Sequence, residues 1–213
     1  MVPGRSETSL EGYLNKLEGK HLVKVVCMDL AVGYRSLVKK HFPQARIVAD
    51  RFDVIRVVNQ HFLACWKELD PVQSKNRGLV SLMRRPWHNL KPEQHDKLAA
   101  YLKENPAMEV IYGFKQKLCY LLLEKYRNQK KCRELAPRLL RMISDLQHNG
   151  LAQMVQLGNT LHSWRDEIAT MWRFTRNNGI TEGFHTKMEV LQRQAYGFRN
   201  FNNYRLRVKV LCS

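Results

Sequence analysis

The sequence has few acidic residues and no long apolar run, and each absence excludes a class of protein. Its 19 Asp and Glu residues stand against 36 Lys and Arg residues, which gives a net charge of +17. No run of about 18 apolar residues is present, so the sequence predicts no transmembrane helix. The first residues also lack the apolar segment of a secretory signal peptide. We therefore expect a soluble, cytoplasmic protein.

The five cysteines and eight histidines show no spacing typical of a metal site. Cys27, Cys65, Cys119, Cys132 and Cys212 are widely scattered and never form C-x-x-C. The histidines do not form an H-E-x-x-H pattern. We predict that the cysteines are reduced packing residues and that the histidines lie at the surface or are bonded to a neighbour.

The surplus of positive charge predicts a polyanionic partner. Each Lys or Arg that contacts a phosphate releases condensed counterions, which favours binding to nucleic acid. An anionic membrane surface could use the same charge, and nothing in the sequence indicates a small-molecule substrate. At 44% hydrophobic residues, the chain also has enough apolar material for a sizeable core.

Two short apolar segments near the start each end directly at an aspartate. Val23–Met28 and Ala45–Ala49 are predicted strands, followed by Asp29 and Asp50, with a short helix over Gly33–Phe42 between them. A strand, a helix and a second strand over this distance indicate a parallel crossover. Ligand sites in such sheets lie at the carboxyl ends of the strands. Each aspartate could instead be an ordinary cap or loop residue.

The rest of the chain is predicted to be almost wholly helical. A helix reaches about Leu69, and further helices are predicted over 108–128, 130–149 and 150–174. Apolar spacing places one set of residues on the buried face of the first of these helices, namely Phe52, Ile55, Val58, Asn59, Phe62 and Trp66. Trp164, Trp172 and Phe174 are also predicted to be core residues.

Glu182 is an isolated acid in a segment dense in cations and aromatic residues. Thr181 is predicted to cap a helix that begins there and ends at Gly197. Glu182 could be a ligand of a divalent cation, with Asp29 as a second ligand. Alternatively, the helix dipole alone could favour a negative charge in the first turn.

The tail from Tyr196 to Arg207 interleaves aromatic and basic residues. Such a mixture could stack on bases and contact phosphates. It could equally be the packed end of an amphipathic segment.

The order of these features resembles the DDE transposases of bacterial insertion sequences, in the ISL-three group. The resemblance is carried by VCMD and DRFD after the two strands, by NGITEG and by AYGFRNFNNYRLR, and it covers about Ser6 to Leu211. It implies an α/β, predominantly helical fold: a partial RNase H-like core that retains two parallel strands, with a large helical insertion. The domains expected are residues 1–68 of the core, the insertion at 69–173 and the C-terminal segment at 174–213.

The resemblance also implies the site. Asp29 and Glu182 match the second and third catalytic acids, which in the family bind two Mg²⁺ (or Mn²⁺) ions. Asp50 and Asp53 match an auxiliary D-x-x-H element, in which Asp53 stands in the place of the His. The DNA-binding cations expected are Lys187, Arg193, Arg199, Arg205 and Arg207. The implied partners are DNA ends and further copies of the chain, at the bacterial nucleoid.

One departure from the family concerns the first catalytic Asp, which in relatives lies before the counterpart of Ser6. We therefore expect this chain to be the C-terminal part of a transposase and to have little strand-cleaving activity alone. The alternatives are a non-enzymatic basic DNA-binding protein and an inactive transposase remnant.

Overall fold

The computed structural model describes residues 6–126, 128–174 and 179–212, except for the side chains of residues 179–182, 184–185 and 211–212. The chain divides into two compact units. Unit 1 comprises Met1–Ile47 together with Arg176–Ser213, and unit 2 comprises Val48–Thr175. Each unit is therefore described separately.

Helices dominate the described residues, and the sheet has two strands. In chain order the elements are α1 (Glu7–Asn15), β1 (Val25–Met28), α2 (Val32–His41), β2 (Arg46–Ala49), α3 (Arg51–Leu69), α4 (Arg77–Arg84), α5 (Pro92–Glu104), α6 (Pro106–Leu123), α7 (Gln129–Gln147), α8 (Ala152–Ser163), α9 (Arg165–Met171), α10 (Gly179–Gln194) and α11 (Phe201–Cys212). Short 3₁₀ turns lie at Lys20–Leu22, Gln73–Lys75 and Trp87–Asn89. No described helix has the combined length and apolarity needed to cross a membrane.

The two strands pair in parallel and are joined through α2. At their start, the backbone N–H of Arg46 donates to the carbonyl of Lys24 over 2.9 Å. This arrangement confirms the predicted strand, helix and strand, although β1 begins two residues later than expected. The α/β, predominantly helical class is confirmed, whereas the RNase H-like assignment stays a prediction.

The core of unit 2 forms around α3, which packs against α6 and α8. Phe62 and Trp66 on α3 are buried in a cluster with residues of α4, α5 and α6. The indole N–H of Trp66 donates to the hydroxyl of Tyr101 over 2.7 Å, and that hydroxyl donates to Asp70 over 2.8 Å. This chain of hydrogen bonds satisfies the polar atoms of two large buried aromatic residues.

The buried face of α3 differs from the predicted one at its start. Phe52 is 55% exposed, whereas Val54 is buried and begins the row that continues to Val58 and Phe62. The later residues of the predicted face, Val58, Phe62 and Trp66, are buried as expected.

Two predicted helix boundaries are wrong. The helix predicted over 150–174 is divided into α8 and α9, because Trp164 adopts non-helical dihedral angles (φ −111°, ψ 13°). Helix α10 begins at Gly179, so Thr181 lies within the helix and does not cap it. An N-cap contributes only about 1 kcal/mol, which is too little for local sequence to fix the first residue of a helix.

Other predictions of packing are confirmed. Trp164 and Trp172 are 2% and 0% exposed, and the indole N–H of Trp172 donates to the carbonyl of Leu121 over 2.9 Å. Cys65, Cys119 and the other cysteines with described side chains are free thiols, as expected of packing residues.

Candidate functional site

Asp29 lies directly after β1 and is half-buried. Helix α2 begins at Val32, and its N-cap is Ala31, which makes no side-chain cap bond. Asp29 is therefore not a helix cap. Within the described part of the chain, its carboxylate has no hydrogen bond or ion pair. A partly desolvated carboxylate without a protein partner is costly unless an ion or ligand binds it.

Asp50 follows β2 in the same way, but its carboxylate has a structural partner. It is 4% exposed and caps α3, with Oδ1 accepting from the N–H of Phe52 at 2.8 Å and of Asp53 at 3.4 Å. Next to it, Arg51 donates to the carbonyls of Glu124 and Met171, at 3.1 and 3.3 Å. These contacts give Asp50 a local role in holding the first turn of α3 within unit 2.

Asp53 lies in the first turn of α3, where the helix dipole favours a negative charge. Its carboxylate forms an ion pair with Arg56 at 2.5 Å. The auxiliary roles predicted for Asp50 and Asp53 stay predictions.

Glu182 is the fourth residue of α10, and its side chain lies outside the described residues. The side chains of Thr181 and His185 also lie outside the described residues. Glu182 belongs to unit 1, as does Asp29. The two predicted catalytic acids are thus parts of the same compact unit.

The C-terminal segment folds as a helical hairpin of α10 and α11. Leu191 and Val208 are buried between the two helices, with Phe198 and Tyr204 packed against them. The rings of Phe198 and Tyr204 are 5.0 Å apart. This packing favours the amphipathic interpretation for these two aromatic residues, whereas Tyr196, in the connecting turn, is fully exposed.

The hairpin also presents the cations that the sequence singled out. All five are exposed: Lys187, Arg193, Arg199, Arg205 and Arg207. Arg193 pairs with Glu189 at 3.5 Å, and the guanidinium of Arg207 lies 5.7 Å from the ring centre of Phe198. Because both contacts are at the surface, they leave these cations accessible to a polyanion.

A shallow hollow of about 390 Å³ lies at the turn between α10 and α11. Arg199, Asn203 and Arg207 line it together with Asn200, whose side chain accepts from the N–H of Asn202 at 2.8 Å. Since Asn200 already caps α11, the positive charge of the hollow comes from the two arginines. A phosphate group is the kind of ligand that such a pair of guanidinium groups binds.

The described residues include a suitable kind of metal ligand, but too few of these ligands lie together to form a metal site. Mg²⁺ takes carboxylate oxygens as ligands, and Asp29 offers one such group at the end of a strand. Among the described side chains, no three His, Cys, Asp or Glu residues are grouped closely enough to hold a metal ion. The complete ligand set is thus not contained in the described residues.

The structure also shows a buried lysine that the sequence pattern does not single out. Lys115 on α6 is 4% exposed, and its ammonium donates to the carbonyls of Met83 at 2.7 Å and Arg84 at 2.9 Å. Burial lowers the pKa of Lys115 to about 8. Its ammonium gives hydrogen bonds to the last carbonyls of α4, which have no partner within that helix. Helical spacing in the sequence could not reveal this contact, because it joins two helices.

Comparison with known proteins gives two matches. The family model described as "Transposase", for DDE transposases of the ISL-three group, matches residues 1–208. The chain is also similar to the transposase for insertion sequence element IS1001 of Bordetella parapertussis, at 24% identity over 217 aligned residues that cover 97% of this chain and 52% of the relative. The chain therefore spans about half the length of that relative. No solved structure matches the chain.

Proposed function

The chain belongs to the ISL-three family of DDE transposases, and from that membership we propose that it takes part in the cleavage and joining of DNA strands. In this proposal Asp29 and Glu182 are catalytic acids that hold divalent cations. The cations of the α10–α11 hairpin bind the DNA backbone.

The proposal is supported above all by the position of Asp29 and by what its carboxylate contacts. Its carboxylate is half-buried at the end of β1, does not cap α2 and has no described protein partner. A carboxylate with only a structural role would be expected to resemble Asp50, which caps a helix and is buried among its partners. Asp29 instead remains available to bind an ion.

Each group of residues has a distinct task in the proposed reaction. When bound, a pair of divalent cations would activate the attacking water or 3′-hydroxyl and stabilise the leaving oxygen of the phosphodiester. Asp29 and Glu182 would fix the position of those ions through carboxylate oxygens. Asp50 would keep an auxiliary role, by holding the start of α3.

The hairpin arginines would position the DNA. Arg199 and Arg207 lie beside one hollow, and Arg205 is exposed on the same helix as Arg207. Contacts to phosphate fix the register of a protein on DNA without reading its sequence. These residues would therefore set affinity, and the acids would set reactivity. Assembly into a homo-oligomer stays a prediction.

Binding of Mn²⁺ in place of Mg²⁺ tests the roles of the two acids without requiring strand cleavage. In a titration followed by electron paramagnetic resonance, with duplex DNA present, we expect Asp29→Asn and Glu182→Gln each to weaken Mn²⁺ binding at least tenfold. Each change removes a charged oxygen ligand and keeps the shape of the side chain.

Asp166→Asn and Glu189→Gln are matched controls, since each removes one carboxylate that already pairs with an arginine. Both controls should bind Mn²⁺ as the unmodified chain does. Equal affinity in all four variants would contradict the assignment of Asp29 and Glu182.

A further inference from the structure

The solvent face of α7 carries more exposed cations than any other helix described in unit 2. Unit 2 contains 21 Lys and Arg against 13 Asp and Glu, a net charge of +8. Residues 125–141 alone contain seven Lys and Arg against one Glu, a net charge of +6. Five of these cations lie on α7 and are exposed: Lys130, Lys131, Arg133, Arg138 and Arg141.

The five cations of α7 outnumber the acids of the same helix by three. Helix α7 carries two acids, Glu134 and Asp145, and neither forms an ion pair within 4 Å in the described part of the chain. Lys130 and Arg133 are three residues apart, as are Arg138 and Arg141. Like charges at this spacing repel one another on a helix surface.

The charges of α7 also oppose its dipole. Its first turn contains Lys130 and Lys131 and no acid, and its last turn contains no base. In α5 the arrangement is the usual one, with Glu93 in the first turn and Lys103 in the last. Because a helix N-terminus carries partial positive charge, the lysines of α7 reduce the stability of that helix. Cations that repel one another and oppose the helix dipole are expected where they bind a ligand.

The geometry of the face suits a long polyanion. The buried residues Cys132, Leu135, Leu139, Ile143 and Leu146 occupy one side of α7. At about 100° per residue, Lys130, Arg133, Arg138 and Arg141 fall on the opposite half, and Lys131 lies at its edge. From Lys130 to Arg141 they extend about 16 Å along the axis, at 1.5 Å per residue. Duplex DNA carries one negative charge per roughly 1.7 Å of its axis, so a segment of that length presents about nine phosphates.

We propose that the solvent face of α7 binds the phosphate backbone of duplex DNA, independently of base sequence. This surface is separate from the α10–α11 hairpin. The proposal rests on the proposed function, because it takes DNA as the partner. The contacts are made by charge, because all five side chains are exposed on the helix surface.

Salt-dependent DNA binding by the full chain tests the proposal. We compare the unmodified protein with Lys130→Gln, Arg133→Gln, Arg138→Gln and Arg141→Gln combined, using fluorescence anisotropy of a labelled duplex between 50 and 200 mM KCl in EDTA. Each lost phosphate contact lowers the slope of log affinity against log salt by about 0.9, so the combined variant should lose a slope of about 3 to 4. Its affinity should fall at least tenfold. Lys131 is kept because its ammonium lies over the ring of Tyr126 at 5.4 Å.

The matched control removes the same total charge elsewhere in unit 2. Lys67→Gln, Lys97→Gln, Lys103→Gln and Lys117→Gln combined change four exposed lysines on α3, α5 and α6. This control should keep most of the salt slope. A charge-retaining variant with Arg133→Lys, Arg138→Lys and Arg141→Lys should bind as the unmodified chain does. Thermal unfolding checks that the α7 glutamine variant is folded under the conditions of the binding measurement.

The outcomes separate this proposal from the proposed function. If the unmodified chain binds DNA and the α7 glutamine variant keeps its slope and affinity, the α7 proposal is wrong while the transposase function stands. If the unmodified chain shows no salt-dependent DNA binding, both are wrong. If the variant loses binding to phosphatidylserine vesicles but not to DNA, the face binds a lipid surface and the proposal is again overturned.

Discussion

Among single residues, the two strand-end aspartates differ in what their carboxylates contact. Asp50 is followed at once by α3 and accepts hydrogen bonds from its first turn. Asp29 is separated from α2 by Leu30 and Ala31, which places its carboxylate out of the cap position. The strand pattern predicted the same position for both residues, at the end of a strand, and the cap separates them because it depends on where the next helix begins.

Lys115 leads to a prediction about pH. Burial lowers its pKa from 10.5 to about 8 in the folded chain. Below pH 8 the folded and unfolded chains both carry the proton, whereas between about 8 and 10.5 the unfolded chain binds more protons. Stability therefore rises with pH in that window through Lys115. Relative to Lys115→Met, the unmodified chain should gain about 2 kcal/mol in free energy of unfolding between pH 7.5 and 9.5.

Urea denaturation at several pH values measures this difference. Lys117→Met is the control, since Lys117 is exposed on the same helix. It should show the same pH dependence as the unmodified chain. If Lys115→Met also follows that dependence, Lys115 has an ordinary pKa in the folded chain.

At the scale of elements, apolar patterns predicted most helices and both strands but not their ends. The strands were recognisable because β-branched runs stop at an acid, and the helices because apolar spacing is regular. The break at Trp164 was missed because buried positions keep helical spacing on both sides of it. The hydrogen bonds of Lys115 join two helices, and a linear pattern does not contain such contacts. The cap by Asp50 is local, and it was one of the two alternatives that the sequence left open.

The turn between α10 and α11 depends on a left-handed glycine. Gly197 has φ +94°, and its N–H donates to the carbonyl of Gln192 over 2.9 Å. A Cβ at this φ is strained, so Gly197→Ala should destabilise the hairpin by about 1–2 kcal/mol. Hydrogen exchange of the α10 and α11 amides should report the loss as faster exchange.

Gly113→Ala is the matched control for that substitution. Gly113 lies within α6, and an added Cβ would meet no described atom within 4 Å. This change should stabilise unit 2 by about 0.5–1 kcal/mol, as Ala does within a helix. Unchanged exchange in Gly197→Ala would show that the turn tolerates a side chain.

For the whole molecule, positive charge is shared by both units. Unit 1 has 15 Lys and Arg against six Asp and Glu, so its net charge of +9 is close to the +8 of unit 2. In this account each unit carries one basic surface, the α10–α11 hairpin and the solvent face of α7. The proposed catalytic acids both lie in unit 1, so reactivity and part of the DNA binding would belong to different units.

Cleavage of the protein backbone by bound iron tests the central claim most directly, namely that Asp29 and Glu182 hold the same metal ions. With added hydrogen peroxide and ascorbate, Fe²⁺ bound in place of Mg²⁺ reduces the peroxide to hydroxyl radicals, which cut the chain close to the ion. If both acids bind the same ions, we expect two sets of cuts, near residues 29 and 182, which Mg²⁺ suppresses by competition and Asp29→Asn abolishes. Cuts near only one of these residues, or cuts that persist in Asp29→Asn, would contradict it.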